Sequence, residues 1–346
     1  MSEPIRVLHV LNTTTYSGAE NVACQIINLC YKEKIDSIYC SPRGKIQETL
    51  ENRNIRYCLI DSLSVDNLKK IISDFKPNII HAHDRKATLV VCLCSKKIPI
   101  ISHLHGKFND MKKITLNNIV YSIAALRVRK IICVSKSINK EWIFSKFFKN
   151  KIIIKRNVVD IDVNNYCITE LKYDVCFIGR LVYEKNIPRL LKILKELKLS
   201  NPQFKAVICG DGKEKEFLLN YIKENKLNQN IEYMGFVNDP LTYIAQSKLM
   251  IMTSRTEGTP MGALEALSLG KPIISTPVDG LVELIQNDKN GFLSNNDNEI
   301  ICYITKILSD KKYYEKLCAC TLRLNSEINN VEEYRDFFVT LYKNLI

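Results

Sequence analysis

Short apolar runs alternate along the chain with longer stretches in which apolar residues recur every three or four positions. Residues 6–11 predict a buried strand, and residues 18–30 predict the helix that follows it. Further strands are expected at 37–40, 78–83, 98–103, 130–134 and 151–155. Strands that alternate with helices are typical of an α/β protein with a parallel sheet.

The same rhythm starts again after residue 170 and predicts a second α/β unit. Its strands are expected at 172–179, 204–209, 231–233, 248–252 and 272–275, with a helix over 188–197. A chain of 346 residues also exceeds what one hydrophobic core usually organises. We therefore predict two domains, 1–165 and 166–329, and a C-terminal helix near 330–346 that is a candidate to pack back on the first domain.

The apolar runs and the cysteine spacing indicate the cellular compartment in which the protein is expected. No apolar run reaches the ~18 residues that span a bilayer, and the first residues lack the apolar core of a signal peptide. The 13 cysteines include no paired C-x-x-C spacing of the kind that holds zinc. We expect a cytoplasmic protein with reduced thiols.

The net charge of +13 is carried by the first half of the chain. Residues 107–156 alone hold 13 basic and 2 acidic residues, interleaved with apolar and aromatic ones. This pattern suits contact with an anionic membrane surface, and we expect a peripheral location on the inner face of the cytoplasmic membrane. The alternatives are a solvated basic face and a nucleic-acid-binding protein. No known nucleic-acid-binding motif is present, so we expect no nucleic-acid partner.

The most informative motif is S-R-T-E-G-T-P-M-G-A-L-E-A-L-S-L-G-K-P over residues 254–272. A glycine-rich turn that opens a helix presents free N–H groups and favours anions. Glu257 and Glu265 flank this turn, and carboxylates accept hydrogen bonds from hydroxyls. A phosphate bordered by hydroxyls describes a nucleotide sugar. The alternative is an ordinary turn followed by an amphipathic helix.

Other candidates also follow predicted strands, where open α/β sheets bind ligands. Arg180 and Lys185 would place two cations in one strand–helix turn, which suits a diphosphate. His105 comes after another strand and could reach a substrate hydroxyl, whereas His81 and His83 are better explained as structural. The loop before Gly18 could approach a ligand closely or simply cap a helix.

The Glu-x₇-Glu spacing followed by A-L-S-L-G-K-P resembles the signature of family 4 retaining glycosyltransferases. These have the GT-B fold, in which two Rossmann-like, doubly wound parallel-sheet domains face a central cleft. Matching motifs run in order from Ser17 to Leu293, with departures at Ser17, Val158 and Asn186. The resemblance implies that the catalytic residues are His105, Arg180, Lys185 and Glu257. It implies that the donor is bound by Gly18, Arg180, Lys185, Gly210, Val237, Glu257, Gly258, Thr259, Pro260, Met261, Gly262 and Glu265.

The resemblance further implies a hexosyltransferase-type reaction that retains anomeric configuration and needs neither a metal nor another cofactor. The donor would be a UDP- or GDP-linked sugar bound by the second domain. The acceptor, on the first domain, is expected to be a lipid-linked saccharide in the synthesis of a bacterial capsule, O-antigen or lipopolysaccharide. A UDP-sugar 2-epimerase of the same fold and a catalytically inactive relative are the remaining alternatives.

Overall fold

The computed structural model describes residues 3–108, 110–166 and 170–346. It divides into two compact units: the first comprises Met1–Asn157 and Val331–Ile346, and the second comprises Val158–Asn330. The units meet in sequence between Asn157 and Val158, whereas the predicted domains met at 165/166. Among the described residues, no helix combines the length and the apolar character needed to cross a bilayer.

The first stretch of chain supplies seven strands and six helices in the described residues. The strands are β1 (Ile5–Val10), β2 (Ile35–Pro42), β3 (Tyr57–Ile60), β4 (Ile79–Ala82), β5 (Ile100–Leu104), β6 (Lys130–Cys133) and β7 (Ile152–Ile154). The helices are α1 (Gly18–Cys30), α2 (Ile46–Asn52), α3 (Val65–Phe75), α4 (Arg85–Cys94), α5 (Leu116–Arg127) and α6 (Lys136–Glu141). Two 3₁₀ turns lie at Tyr31–Glu33 and Ser145–Phe148.

The second stretch repeats the pattern and then returns to the first unit. Its strands are β8 (Tyr173–Ile178), β9 (Ala206–Cys209), β10 (Ile231–Gly235), β11 (Ser247–Met252), β12 (Ile273–Ser275) and β13 (Gly291–Leu293). Its helices are α7 (Ile187–Ser200), α8 (Lys215–Glu224), α9 (Pro240–Ala245), α10 (Met261–Ser268), α11 (Asp279–Leu284), α12 (Asp297–Ser309) and α13 (Lys311–Ile328), and α14 (Val331–Lys343) closes the first unit. Two further 3₁₀ turns lie at Val163–Tyr166 and Tyr183–Lys185.

The sheet of the first unit has the strand order β3-β2-β1-β4-β5-β6-β7, and its neighbouring strands are parallel. Successive side chains of a strand point to opposite faces, so each face receives alternate residues. One face, with Leu8, Ile80 and Ile100, packs on α3, α4, α5 and α6. The other face receives Tyr39 and packs on α1 and α2, and α14 packs against α1.

The sheet of the second unit has the order β10-β9-β8-β11-β12-β13, again with parallel neighbours. Val175, Phe177 and Ile251 face α7, α8 and α12 in one core. Cys176 and Met250 face α9, α10 and α11 in the other. Both sheets are therefore covered on two faces, which explains why their strands are continuous apolar runs.

Candidate functional site

Most of the predicted donor residues follow β8 and β11, the two strands between which the order of the second sheet reverses. After β8 the chain moves to β9 and β10 on one side, whereas β11, β12 and β13 lie on the other. The loops that follow β8 and β11 therefore leave in opposite directions and open a crevice beyond the carboxyl ends of these two strands. Residues 179–185 occupy one side of this crevice, and residues 253–260 occupy the other.

A lysine–glutamate pair joins the two loops. Lys185 Nζ donates to Glu257 Oε1 at 2.5 Å, and Ser254 Oγ donates to the same oxygen at 2.6 Å. The side chains of Lys185 and Glu257 are only 17% and 8% exposed. Because a carboxylate so far out of water needs charged partners, this pair fixes the position of both groups. It leaves Lys185 beside the turn at which an anion would bind.

Arg180 lies just beyond β8 and is exposed. Its guanidinium makes no hydrogen bond or ion pair to any described residue, so all five of its donors can serve a ligand. Gly179, directly before it, has its α-carbon against the Lys185 chain: an added Cβ would lie 3.5 Å from Lys185 Cε. The two predicted cations thus come from one short loop, as the sequence indicated.

Asn186 replaces the glycine expected after Lys185, and its backbone conformation shows why asparagine is accommodated there. Its φ is 55° and its ψ is 53°, the left-handed conformation that asparagine tolerates better than most residues. Its Oδ1 also accepts a 2.8 Å hydrogen bond from Arg255 Nη2, while the Arg255 N–H donates to Glu184 O at 2.8 Å. Asparagine therefore keeps the turn and adds a link between the two loops. At Val158, the second departure, the backbone is not left-handed.

The turn that ends in α10 presents backbone donors. Pro260 stands at the N-cap and gives no side-chain cap, so the first N–H groups of α10, on Met261 and Gly262, lack a side-chain acceptor from it. Thr259 and Pro260 are buried, whereas Gly258 and Gly262 are half-buried. Glu265 lies one turn into α10 and is half-buried. The arrangement is that of an anion site at a helix N-terminus.

Two residues that were not among the predicted site residues, Asp279 and Gly280, hold this turn in place. Asp279 Oδ2 accepts 2.8 Å hydrogen bonds from the Glu257 N–H and from Thr256 Oγ1. Gly280 lies so close to the turn that an added Cβ would be 1.9 Å from Gly258 O. The pattern D-G directly after a strand was the available signal, since only glycine permits such an approach.

The remaining donor candidates lie in both units: Gly210 and Val237 follow strands of the second sheet, and Gly18 belongs to the first unit. Gly210 follows β9 with φ 144°, and its Cβ would lie 1.8 Å from Gly179 O, so it permits the β8 and β9 loops to touch. Val237, after β10, is half-buried. Gly18 is the exposed first residue of α1 in the first unit, where Ser17 at the N-cap donates to Glu20 Oε2 at 2.6 Å. The donor roles of Gly18, Gly210 and Val237 stay predictions.

His105 lies just beyond β5 in the first unit. Its Nε2 is 2.9 Å from His83 Nδ1, and His83 Nε2 is 3.0 Å from His9 Nδ1. Burial lowers the pKa of His105 to about 3, because the charged imidazolium would lose its water. His105 is therefore neutral at pH 7. The sequence analysis treated His83 as structural, did not connect it with His105, and did not single out His9.

Comparison with known proteins assigns the family. Residues 161–319 match the model "Glycosyl transferases group 1", and residues 16–163 match "Glycosyltransferase Family 4". The O-antigen biosynthesis glycosyltransferase WbnH of Escherichia coli is 31% identical over 74% of this chain and 75% of its own length. The UDP-Gal:alpha-D-GlcNAc-diphosphoundecaprenol alpha-1,3-galactosyltransferase of Escherichia coli is 24% identical over 98% of each chain.

The fold agrees with that assignment. Anabaena Alr3699/HepE, solved in complex with UDP-glucose, matches with a TM-score of 0.86 and 19% identity, covering 98% of this chain and 100% of that one. The seven- and six-stranded parallel sheets and this likeness define a GT-B fold. The chain belongs to the family 4 glycosyltransferases. The resemblance drawn from the sequence is confirmed.

Proposed function

We propose that the chain transfers a hexose from a UDP- or GDP-linked donor to a saccharide acceptor with retention of anomeric configuration. The observation that carries this proposal is the lysine–glutamate pair at the switch point of the second sheet, beside the α10 turn. It combines a fixed cation for a diphosphate with a fixed carboxylate for hydroxyls. A nucleotide sugar needs both within one site.

Stabilisation of the leaving group explains the cations. As the bond between sugar and phosphate breaks, negative charge grows on the diphosphate, and donors fixed around it stabilise the transition state more than the ground state. Arg180, Lys185 and the N–H groups of the α10 turn are the groups that would stabilise this negative charge. We therefore propose that transfer needs no metal at the diphosphate.

The remaining roles come from the family resemblance. We propose that Glu265 binds the ribose hydroxyls, that Glu257 binds the hydroxyls of the donor sugar, and that His105 acts on the sugar as a neutral imidazole. The acceptor attacks from the face that the diphosphate leaves, and a phosphate oxygen takes the acceptor proton. The carbon–oxygen bond to phosphate breaks while the new glycosidic bond forms, so configuration is retained.

The relatives favour particular substrates. One is described as using UDP-Gal and a diphosphoundecaprenol-linked GlcNAc, and another as acting in O-antigen biosynthesis. HepE was solved with UDP-glucose. We propose a UDP-sugar as the first donor to test and a lipid-linked saccharide as the acceptor, in the synthesis of a bacterial surface polysaccharide.

A donor panel tests the proposal. Wild type, Glu265→Ala and the exposed control Glu224→Ala would be assayed with UDP- and GDP-sugars in EDTA, with and without lipid-diphosphate saccharide acceptors. We expect one donor to release nucleotide diphosphate with wild type and with Glu224→Ala, and this release to be lost in Glu265→Ala. The anomeric configuration of the transferred sugar, axial or equatorial, should be the same in the product as in the donor. An inverted product would refute retention. Absence of nucleotide binding to wild type would refute the site.

The first unit carries a surface that suits the lipid part of such an acceptor. On α5, the side chains spaced to form one stripe are exposed: Leu116, Ile119, Val120, Ile123 and Leu126. Phe147 is also exposed, 82%. Asn109, within the predicted basic segment, lies outside the described residues, and the segment as a whole is strongly basic. We propose that α5 lies on an anionic leaflet at the inner face of the cytoplasmic membrane.

Vesicle sedimentation tests this surface. Ile123→Glu with Leu126→Glu places two charges on the stripe, and Leu199→Glu is a matched control because Leu199 is 77% exposed on α7 of the second unit. We expect binding to phosphatidylglycerol vesicles, weaker binding to phosphatidylcholine, and at least tenfold weaker binding for the double variant only. Equal binding of the double variant and the control would refute the assignment.

A further inference from the structure

All five histidines of the chain lie together on one face of the first sheet. His9 on β1 is directly opposite His81 on β4. His103 on β5 continues the same alternation, as do His83 and His105 directly after β4 and β5. β1 and β4 are also the strands between which the order of this sheet reverses. Such a concentration is not needed for packing, because apolar rings would fill the same space.

Three of these rings converge. His9, His81 and His83 are each at most 1% exposed, and one nitrogen from each lies within 4.8 Å of the others. His9 Nδ1 and His83 Nε2 are 3.0 Å apart. Their ring centroids are separated by 5.0 Å for His9 and His81, 5.2 Å for His9 and His83, and 4.3 Å for His81 and His83.

The hydrogen bonding around these rings is incomplete. His9 Nε2 and His81 Nε2 are buried and have no hydrogen-bond partner in the described residues. Burying an imidazole nitrogen without a partner costs free energy, so such atoms call for a ligand. The outer nitrogens of two rings are held: Tyr342 OH on α14 is 2.8 Å from His81 Nδ1, and His105 Nε2 is 2.9 Å from His83 Nδ1. His9 faces His83 through Nδ1, so its unpartnered Nε2 points away from that pair. Hydrogen bonds of this kind commonly orient the histidines that ligate metals.

We propose that His9, His81 and His83 bind one divalent transition-metal ion of the Zn²⁺ class. Neutral imidazole suits zinc, and three histidines with a water in the fourth position form a known tetrahedral set. With metal–nitrogen bonds of about 2.0–2.1 Å, tetrahedral ligand atoms are roughly 3.3 Å apart. His9 Nδ1 and His83 Nε2 are already close to this spacing, at 3.0 Å. Because the three rings are inclined to one another by only 19–35°, their side chains must rotate on loading to direct all three lone pairs at one ion.

The ion has two consequences in this unit. It lies beneath α14, because His81 and His9 contact Tyr342 and His81 contacts Phe338, so loading should fasten that helix to the sheet. Coordination through His83 Nε2 also leaves the proton of His83 on Nδ1, where it donates to His105 Nε2. His105 then carries its own proton on Nδ1. The metal is distinct from the diphosphate site and does not depend on glycosyl transfer.

A second group, His83, His103 and His105, is the nearest competitor. The unpartnered nitrogens of His103 would suit a ligand equally well, but no outer hydrogen bond from the described residues orients this ring, and His105 is less buried than the three residues of the first group. His103 therefore provides the control. His81→Phe removes a proposed ligand, His103→Phe removes a ring of the same cluster, and both keep an aromatic ring beside Phe338.

The test uses tag-free, full-length protein stripped by chelator dialysis. Zn²⁺ binding would be measured by calorimetry and by metal analysis after gel filtration, and Co²⁺ binding by its visible absorption. We expect one ion per chain in wild type and in His103→Phe, at least 100-fold weaker binding in His81→Phe, and about tenfold weaker binding in Tyr342→Phe, which removes one hydroxyl. Zn²⁺ should raise the unfolding temperature of wild type and of His103→Phe.

Three results would overturn the proposal. One is no stoichiometric Zn²⁺ binding to folded wild type. Another is loss of Zn²⁺ binding in His103→Phe while His81→Phe still binds Zn²⁺, which would assign the ion to the competing group. The third is a thiolate-to-Co²⁺ charge-transfer band, which would place the ion on cysteine. If circular dichroism shows that His81→Phe does not fold, Tyr342→Phe becomes the deciding variant. Unchanged Zn²⁺ affinity in Tyr342→Phe would then count against the site.

Discussion

Substitution of Gly280 tests how the turn that ends in α10, the proposed donor site, is positioned. In Gly280→Ala, the new Cβ would lie 1.9 Å from Gly258 O and 3.3 Å from Thr259 Cα, while contacts under 3.0 Å are not sustained. The start of α11 and the turn must therefore separate by about 1 Å. Asp279 moves with α11, so its hydrogen bonds to Thr256 and to the backbone of Glu257 stretch as well.

The expected effects are large. Overpacking of this kind costs about 1–3 kcal/mol of unfolding free energy. A displacement of about 1 Å in a positioning segment can lower a rate roughly 100-fold. We expect Gly280→Ala to bind UDP or GDP at least tenfold more weakly by calorimetry and to lose about 100-fold in kcat/KM. Val282→Ala is the control, since Val282 lies on the same short helix and is 53% exposed.

Two outcomes would refute this reasoning in different ways. Wild-type stability and wild-type nucleotide affinity in Gly280→Ala would mean that the close approach of Gly280 to Gly258 does not constrain the turn. Lower stability with unchanged affinity would mean that the turn is constrained but does not bind the nucleotide. The second outcome would count against the proposed donor site itself.

Three further predictions concern other residues. Asn186→Gly should keep the left-handed turn but lose the link to Arg255, whereas Asn186→Val should cost about 1–3 kcal/mol in urea unfolding; equal stability of the two variants would contradict this. Lys185→Met should weaken diphosphate binding at least tenfold by calorimetry, with partial recovery in Lys185→Arg, and unchanged affinity would exclude the cation from the site. Burial lowers the pKa values of His9 and His105 to about 3, below the unfolded value of about 6.5. The unfolded state therefore binds more protons between these values, and unfolding free energy should fall by up to ~1.4 kcal/mol per pH unit per histidine below pH 6.5; urea unfolding of metal-free protein at pH 7.5 and 5.0 measures this, and equal stability would contradict it.

Much of the fold could be predicted because each parallel strand is buried on both faces. The helix expected at 18–30 is α1, Gly18–Cys30, and the helix expected at 188–197 lies within α7, Ile187–Ser200. Two short strands were missed. β3, Tyr57–Ile60, has four residues at the edge of its sheet, and β13, Gly291–Leu293, has three at the edge of the other. Edge strands that short carry little pattern, and β7 was predicted because its three residues are all isoleucine.

The site was predictable only in part. Glu257 and Lys185 stood out because charged residues directly follow apolar strands, and the structure brings them together. Asp279 could not be assigned, because its role is a hydrogen bond to a backbone 22 residues away. His9 was missed for a related reason. It lies inside a buried strand, and its partners on β4 are more than 70 residues further along the chain.

The path of the chain has a consequence for synthesis. The first unit begins the sequence but takes its last helix, α14, from residues 331–343, after the whole second unit has been made. Domains generally fold as units as they leave the ribosome. The second unit can therefore fold while the first unit still lacks α14, which leaves the sheet face that carries the five histidines without this helix. A message cut short before codon 331 would yield a chain whose second unit is whole and whose first unit lacks α14.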